Sequence, residues 1–226
     1  MTASTSEGPR GLTTRGASTR RRIVAATAQL TYSKGVEATS LDDVRAAANV
    51  SKSQLYHYFS DKDALIREVI AAQGERVLAA QEPALDKIES LASLRRWGDR
   101  ILAVYRMTGG RGGCPLGSLA SELANHSESA RTMLVAGFDA WAERLSEGFS
   151  RMQARGELNP ATVPRDLAIA VLAAVQGGLL LAKTARNEKP LALALEMAFE
   201  HVDRHCLRHA GRLRRRSGRG PRTRSR

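Results

Sequence analysis

Cysteine is nearly absent from this chain. Its two thiols, Cys114 and Cys206, are too few for a disulfide framework or a four-cysteine zinc site. The N-terminus has no continuous apolar segment of the kind a secretory signal needs, so a reducing, cytoplasmic setting is expected. Acid is also scarce, but only at the ends. Residues 1–22 carry five arginines and one acid, and residues 212–226 carry eight arginines and no acid. Between them, 23–211 hold 22 basic and 22 acidic residues. The net charge of +12 therefore sits wholly at the two ends of a neutral body. Basic ends of this kind suit a polyanionic partner, through counterion release at phosphates.

Catalytic chemistry is missing as well. No nucleophile is paired with a base, no metal-spaced cluster occurs, and no cofactor fingerprint is present. His201 and His205 stand four apart but have no third ligand. The glycine-rich stretch at 109–117, GGRGGCPLG, lacks the Gly-Lys-Ser/Thr ending of a phosphate loop, and no strand precedes it. Neither an enzyme nor a bound metal or cofactor is expected. The longest apolar run, residues 167–182, has sixteen residues where a bilayer needs about 20. It also contains Gln176 and is flanked by Arg165, Asp166 and Lys183, so no membrane span is expected.

What is present is helical periodicity. Ile23, Ala26 and Leu30 recur at helical spacing, with Val24, Ala28 and Tyr32 on the adjoining stripe, and Gly35 stops the run. A first helix over roughly 19–34 follows. Three start signals come next, each a serine with an acid or glutamine three residues on: Ser40 with Asp43, Ser51 with Gln54, and Ser60 with Asp63. They predict a second helix over 41–48 burying Leu41, Val44 and Ala47. A third over 51–58 buries Leu55 and is closed by Phe59. A fourth begins at Asp61 and runs to near Gln81. The second and third, joined by a short turn, form a helix-turn-helix.

The segment 39–66, TSLDDVRAAANVSKSQLYHYFSDKDALI, resembles the DNA-binding domain of the TetR family of transcriptional regulators. The resemblance rests on the order and spacing of Val50, Ser51, Leu55, Tyr56, Phe59, Lys62 and Leu65, and with the first helix it covers residues 19–68. One departure is Tyr58, where many relatives carry histidine. The resemblance implies that the third helix enters the major groove of double-stranded operator DNA. Lys52, Ser53 and Gln54 at its start are then the base readers, since lysine donates to guanine and glutamine pairs with adenine edges. It assigns His57 and Tyr58 to phosphate, and Tyr56 to a ring half in the core with its hydroxyl toward DNA. Lys62 in the first turn of the fourth helix, and Thr39 and Ser40 at the start of the second, are expected at phosphates.

The remainder reads as all-α. Expected helices lie at 91–107, from Ser118, at about 127–155, and in a final pair at about 165–184 and 189–206. The run Gly-Cys-Pro-Leu-Gly-Ser-Leu resembles the C-terminal half of TetR-type regulators grouped with LmrA and YxaF. Four segments are expected: a disordered basic arm (1–18), the three-helix DNA-binding domain (19–66), a larger helical ligand-binding and dimerisation domain (67–209), and a disordered arginine-rich tail (210–226). A helix apolar on all sides must be covered on all sides, and the family resemblance implies that the last two helices form a four-helix bundle with their symmetry mates, so the final pair is the expected homodimer contact. The family implies a small-molecule effector in the larger domain, with Trp97, Tyr105, Met133, Phe138, Trp141 and Gln176 as candidate lining, and a repressor released by that effector. Two other readings remain open: an architectural protein that binds through its arginine tails, and a redox-responsive regulator acting through Cys114.

Overall fold

The computed structural model describes residues 13–110 and 113–207. The arginine-rich tail at 210–226 and most of the basic arm lie outside the described residues. Nine helices follow one another among the described residues: α1 (Thr14–Lys34), α2 (Leu41–Ala48), α3 (Lys52–Tyr58), α4 (Lys62–Leu85), α5 (Leu91–Met107), α6 (Pro115–Leu123), α7 (Glu128–Ala154), α8 (Pro164–Ala185) and α9 (Lys189–His205). They group into two compact units. One comprises Met1–Ala80 with Gly113–Trp141, the other Gln81–Gly112 with Ala142–Arg226. This grouping is not a simple cut after residue 66, because α6 and the first half of α7 belong with the helix-turn-helix.

In the first unit, local chemistry explains each boundary. The Thr13 hydroxyl accepts from the Gly16 N–H at 3.2 Å, so α1 starts more than a turn before the apolar pattern does. Residues 14–18, expected to be disordered, are helical for that reason. Gly35, at φ +89°, ends α1 and donates its N–H to the Thr31 carbonyl. Ser40 and Asp43 form a complete capping box on α2, and Ser51 and Gln54 form another on α3. The third signal resolves differently. Asp61, not Ser60, caps α4: its Oδ1 accepts from the Ala64 N–H at 2.7 Å, while the Ser60 hydroxyl donates to Asp61 Oδ2. A carboxylate is the stronger acceptor for a free helix N–H, so the start moves one residue along. The register of α2 also differs from expectation. Val44 and Ala48 are buried, Ala47 is exposed and Leu41 half-buried, because 44 and 48 share a face four residues apart. The unit's core is built on Ile23, Val44, Leu55, Leu65 and Val69. Tyr32, placed on a buried stripe by its spacing, is 37% exposed and bonds instead to the backbone of Gly113.

The second unit is dominated by the pairing of α8 with α9, and α5 also packs on α9. Gly178 lets these backbones approach, since a Cβ there would lie 2.9 Å from that of Ala194. Its buried side chains include Leu94, Trp97, Leu145, Phe149, Leu191 and Leu195. The helix that carries the sixteen-residue apolar run extends beyond it at both ends. α8 has 22 residues, and an 18-residue stretch of it has a mean hydropathy of 1.8, long and apolar enough to cross a bilayer by length and composition alone. One face lies against α9, and the other leaves Ile169, Leu180 and Leu181 at least half exposed.

Candidate nucleic-acid interface

The third helix is held from beneath by one side chain. Leu55 is 2% exposed, with Val50 and Phe59 buried at either end, whereas Lys52, Ser53, Gln54, Tyr56 and His57 all face solvent. The first turn of α3 contains no acid, so nothing there offsets the charge of Lys52. Gln54 has two duties. Its Oε1 accepts from the Ser51 N–H at 2.9 Å, while its backbone N–H donates to Ser51 Oγ at 3.2 Å. The amide NH₂ remains as a pair of donors for a base edge. Tyr56 is 47% exposed, so about half of it is covered. His57 and Tyr58 meet edge to face at 4.9 Å, with Tyr58 half-buried.

Around this helix the other expected contacts divide. Lys62 is half-buried, and its ammonium donates to the Glu37 carbonyl at 3.3 Å, which leaves two further N–H donors for an anion. Ser40 is exposed at the start of α2. There, hydrogen bonds from Lys34 and then Ser40 hold the Asp43 carboxyl far below the usual carboxylate range. Thr39 is a correction. It is 1% exposed and its hydroxyl donates to the Gly35 carbonyl at 2.7 Å, so its side chain is spent inside the fold. Sequence reasoning also misses several ties because the partners lie far apart in the chain. Arg22 Nε donates to the Ala48 carbonyl at 2.8 Å, at the end of α2. Glu122 Oε2 accepts from the Val36 N–H at 2.6 Å. No local pattern signals either contact.

The six residues put forward for an effector divide between the units. In the second, Trp97 is 1% exposed and donates to Gln81 Oε1 at 3.1 Å. Tyr105 is 3% exposed, with its hydroxyl 2.8 Å from the Ala182 carbonyl and 3.2 Å from that of Gly110. Gln176 is half-buried and its Nε2 has no partner. In the first, Met133 and Phe138 are half-buried, while Trp141 is 2% exposed with Nε1 unpaired. The 350 Å³ cleft of the second unit is lined instead by Asn159, Thr162, Asp166, His201 and His205, among others. The two imidazoles there stack edge to face at 5.1 Å, and Thr162 Oγ1 lies 3.2 Å from His205 Nδ1. Cys114 is 7% exposed at the start of α6.

Comparison with known proteins agrees with this geometry. Residues 23–69 match the bacterial regulatory proteins of the tetR family, and residues 90–197 match the C-terminal domain of LmrA/YxaF-like transcriptional regulators. The HTH-type transcriptional repressor DhaR of Mycobacterium sp. (strain GP1) is 27% identical over 80% of this chain and 90% of its own length. An uncharacterised HTH-type transcriptional regulator of Lactococcus lactis subsp. lactis, from the lacX 3' region, is 31% identical over 81% and 94% respectively. The crystal structure of a regulatory protein TetR from Rhodobacter sphaeroides superposes with a TM-score of 0.73 at 26% identity, covering 84% of this chain and 99% of that one. An exposed third helix with a reciprocal N-terminal cap, in a chain that is helical through its described residues and matched along both halves, makes this protein a member of the TetR family of DNA-binding transcriptional regulators.

Proposed function

We propose that the chain is a homodimeric repressor that grips double-stranded operator DNA with paired α3 helices and is released by a small molecule bound in its helical body. The observation that carries this reading is the construction of α3. One buried leucine and a reciprocal cap fix a seven-residue rod, whose remaining side chains are largely presented to solvent. A rod of that length and polarity suits a major groove about 12 Å wide. Two copies set one helical turn apart, about 34 Å, require a dimer. The uncovered apolar residues of α8 and α9 support one: Leu180, Leu181, Leu193 and Met197 are each about 60% exposed. The repressor named DhaR supports the direction of regulation. Release by an effector follows if that molecule favours a dimer geometry that DNA does not, a coupling that is reciprocal between the two ligands. Within the second unit, Gln176, with a buried N–H lacking a partner, is the candidate lining residue that most invites a polar ligand.

The test begins with DNA fragments selected from a random pool by the purified full-length protein. On the selected duplex, Gln54→Ala should lose about 1–3 kcal/mol of discrimination at one base position. Lys62→Ala should weaken every duplex alike, because a phosphate contact carries no sequence information. Electrophoretic mobility shifts with point-mutated duplexes separate the two. Equal losses across all sequences for both variants would refute the division between base reading and phosphate anchoring.

A further inference from the structure

The outward side of α1 carries a basic stripe that the recognition helix does not explain. Thr14, Arg15, Ser18, Arg21 and Arg22 are all exposed and fall three or four residues apart along one side of the helix. No acid stands among them, and the first turn of α1 contains none. The stripe is tied to the helix-turn-helix at its lower end. Arg22 Nε donates to the carbonyl of Ala48, the last residue of α2, next to Asn49 whose φ of +48° turns the chain toward α3. Its two terminal nitrogens stay available. Arg20, on the inward side, is occupied differently: it pairs with Glu68 at 2.7 Å and lies over the Phe59 ring at 5.4 Å. Arg20 thus locks the helix in place while Arg15, Arg21 and Arg22 face out. Among the described residues, neither Arg15 nor Arg21 has an ion-pair partner. Arg15 lies seven positions before Arg22 on the same side, so about 10 Å further along the axis.

We propose that this stripe is a backbone clamp: Arg15, Arg21 and Arg22 of α1 hold DNA phosphates flanking the groove that α3 enters, extending the contact beyond the helix-turn-helix. The guanidinium fork matches a phosphate in two-point fashion, and the acid-free positive end of α1 adds to the attraction. Thr14 and Ser18 supply hydroxyl donors on the same side. The clamp adds affinity without adding sequence information, because phosphates are the same at every step. It rests on the DNA-binding reading above, and it explains why the N-terminal part of the charge excess lies next to, and partly within, α1.

The decisive measurement is the salt dependence of binding by full-length R15A/R21A, compared with the unaltered protein on the selected duplex and on an unrelated one. The slope of log affinity against log salt should become shallower by roughly 0.9 for each phosphate that the variant no longer grips, and affinity at fixed salt should fall on the order of tenfold on both duplexes alike. R15K/R21K should recover most of the slope, since charge is retained. The melting temperature should stay within error of the unaltered protein, because both side chains are exposed. An unchanged slope and affinity in R15A/R21A would overturn the clamp, as would a loss confined to the selected duplex. Gln54→Ala assayed in parallel reports on the recognition helix alone. If it loses discrimination while the arginine variant changes nothing, only the clamp fails. If neither variant changes binding, the reading of α3 falls with it.

Discussion

At the residue scale, single side chains in this interface hold structure and present chemistry at once. Asp43 is the plainest case. It accepts from Lys34 Nζ at 2.8 Å, from the Ser40 hydroxyl at 2.7 Å and from the Ser40 N–H at 2.9 Å, and all three favour its ionised form. Its folded pKa lies below the ordinary aspartate value of about 3.9, so its contribution to stability is complete above that pH. The contribution is lost as pH falls through the lower, folded value. Asp43→Asn should therefore lower the urea midpoint at neutral pH. It should also lose less stability than the unaltered protein between about pH 4 and pH 2. Parallel curves over that range would show that the cap does not depend on charge. The sequence displays this box directly, because serine and acid stand at the required spacing. It does not display the inward turn of Thr39, since that depends on the Gly35 carbonyl lying within 2.7 Å.

At the element scale, helices with their own start signals are legible in the sequence and those that rely on tertiary partners are less so. The expected bounds of α2 and α5 match the structure, although α5 starts from a Ser90–Ser93 box whose second serine is not the usual acid or glutamine. α4 illustrates the limit: Ser60 and Asp61 are adjacent candidates, and only their competition in three dimensions decides. Asp61→Ala should destabilise the protein by about 1 kcal/mol, with Ser60→Ala costing clearly less, as read from chemical denaturation. The reverse order would mean that the serine is the working cap. Close packing between helices leaves no pattern in the sequence. A Cβ at Gly98 of α5 would collide with the Phe199 ring of α9. Gly98→Ala should accordingly cost about 1–3 kcal/mol despite its better helix propensity. A gain in stability there would show that Phe199 can swing aside. The proposed effector residues are the least legible of all, because an apolar helix face reads the same whether it lines a cavity or fills a core.

At the scale of the whole molecule, the apolar surface left open on α8 and α9 supports the proposed second copy. Leu193 is 61% exposed within one chain, so a charge there should be tolerated by the monomer and not by the dimer. Leu193→Glu is expected to sediment as a monomer with unchanged helical content, and to bind the selected duplex far more weakly than the parent. A variant that stayed dimeric would move the contact elsewhere. The expectation of such a face comes from a run too apolar to be left in water, together with what the family resemblance implies for the last two helices. The length of the helix is harder to read, because α8 continues through Pro164, Arg165 and Asp166 at one end and Lys183 at the other, where the flanking charges mark the limits of the apolar run but not of the helix.

The double duty of Gln54 bears on how operator preference can change over time. On the proposed reading, a replacement at that position would alter what the groove sees, and it also removes the acceptor that steadies the start of α3. Lys52 and Ser53 carry no such obligation, being exposed and outside the cap. Lineages that drift toward new target sites should therefore vary first at 52 and 53. Gln54 would change late, after stabilising substitutions elsewhere have made a looser helix start tolerable.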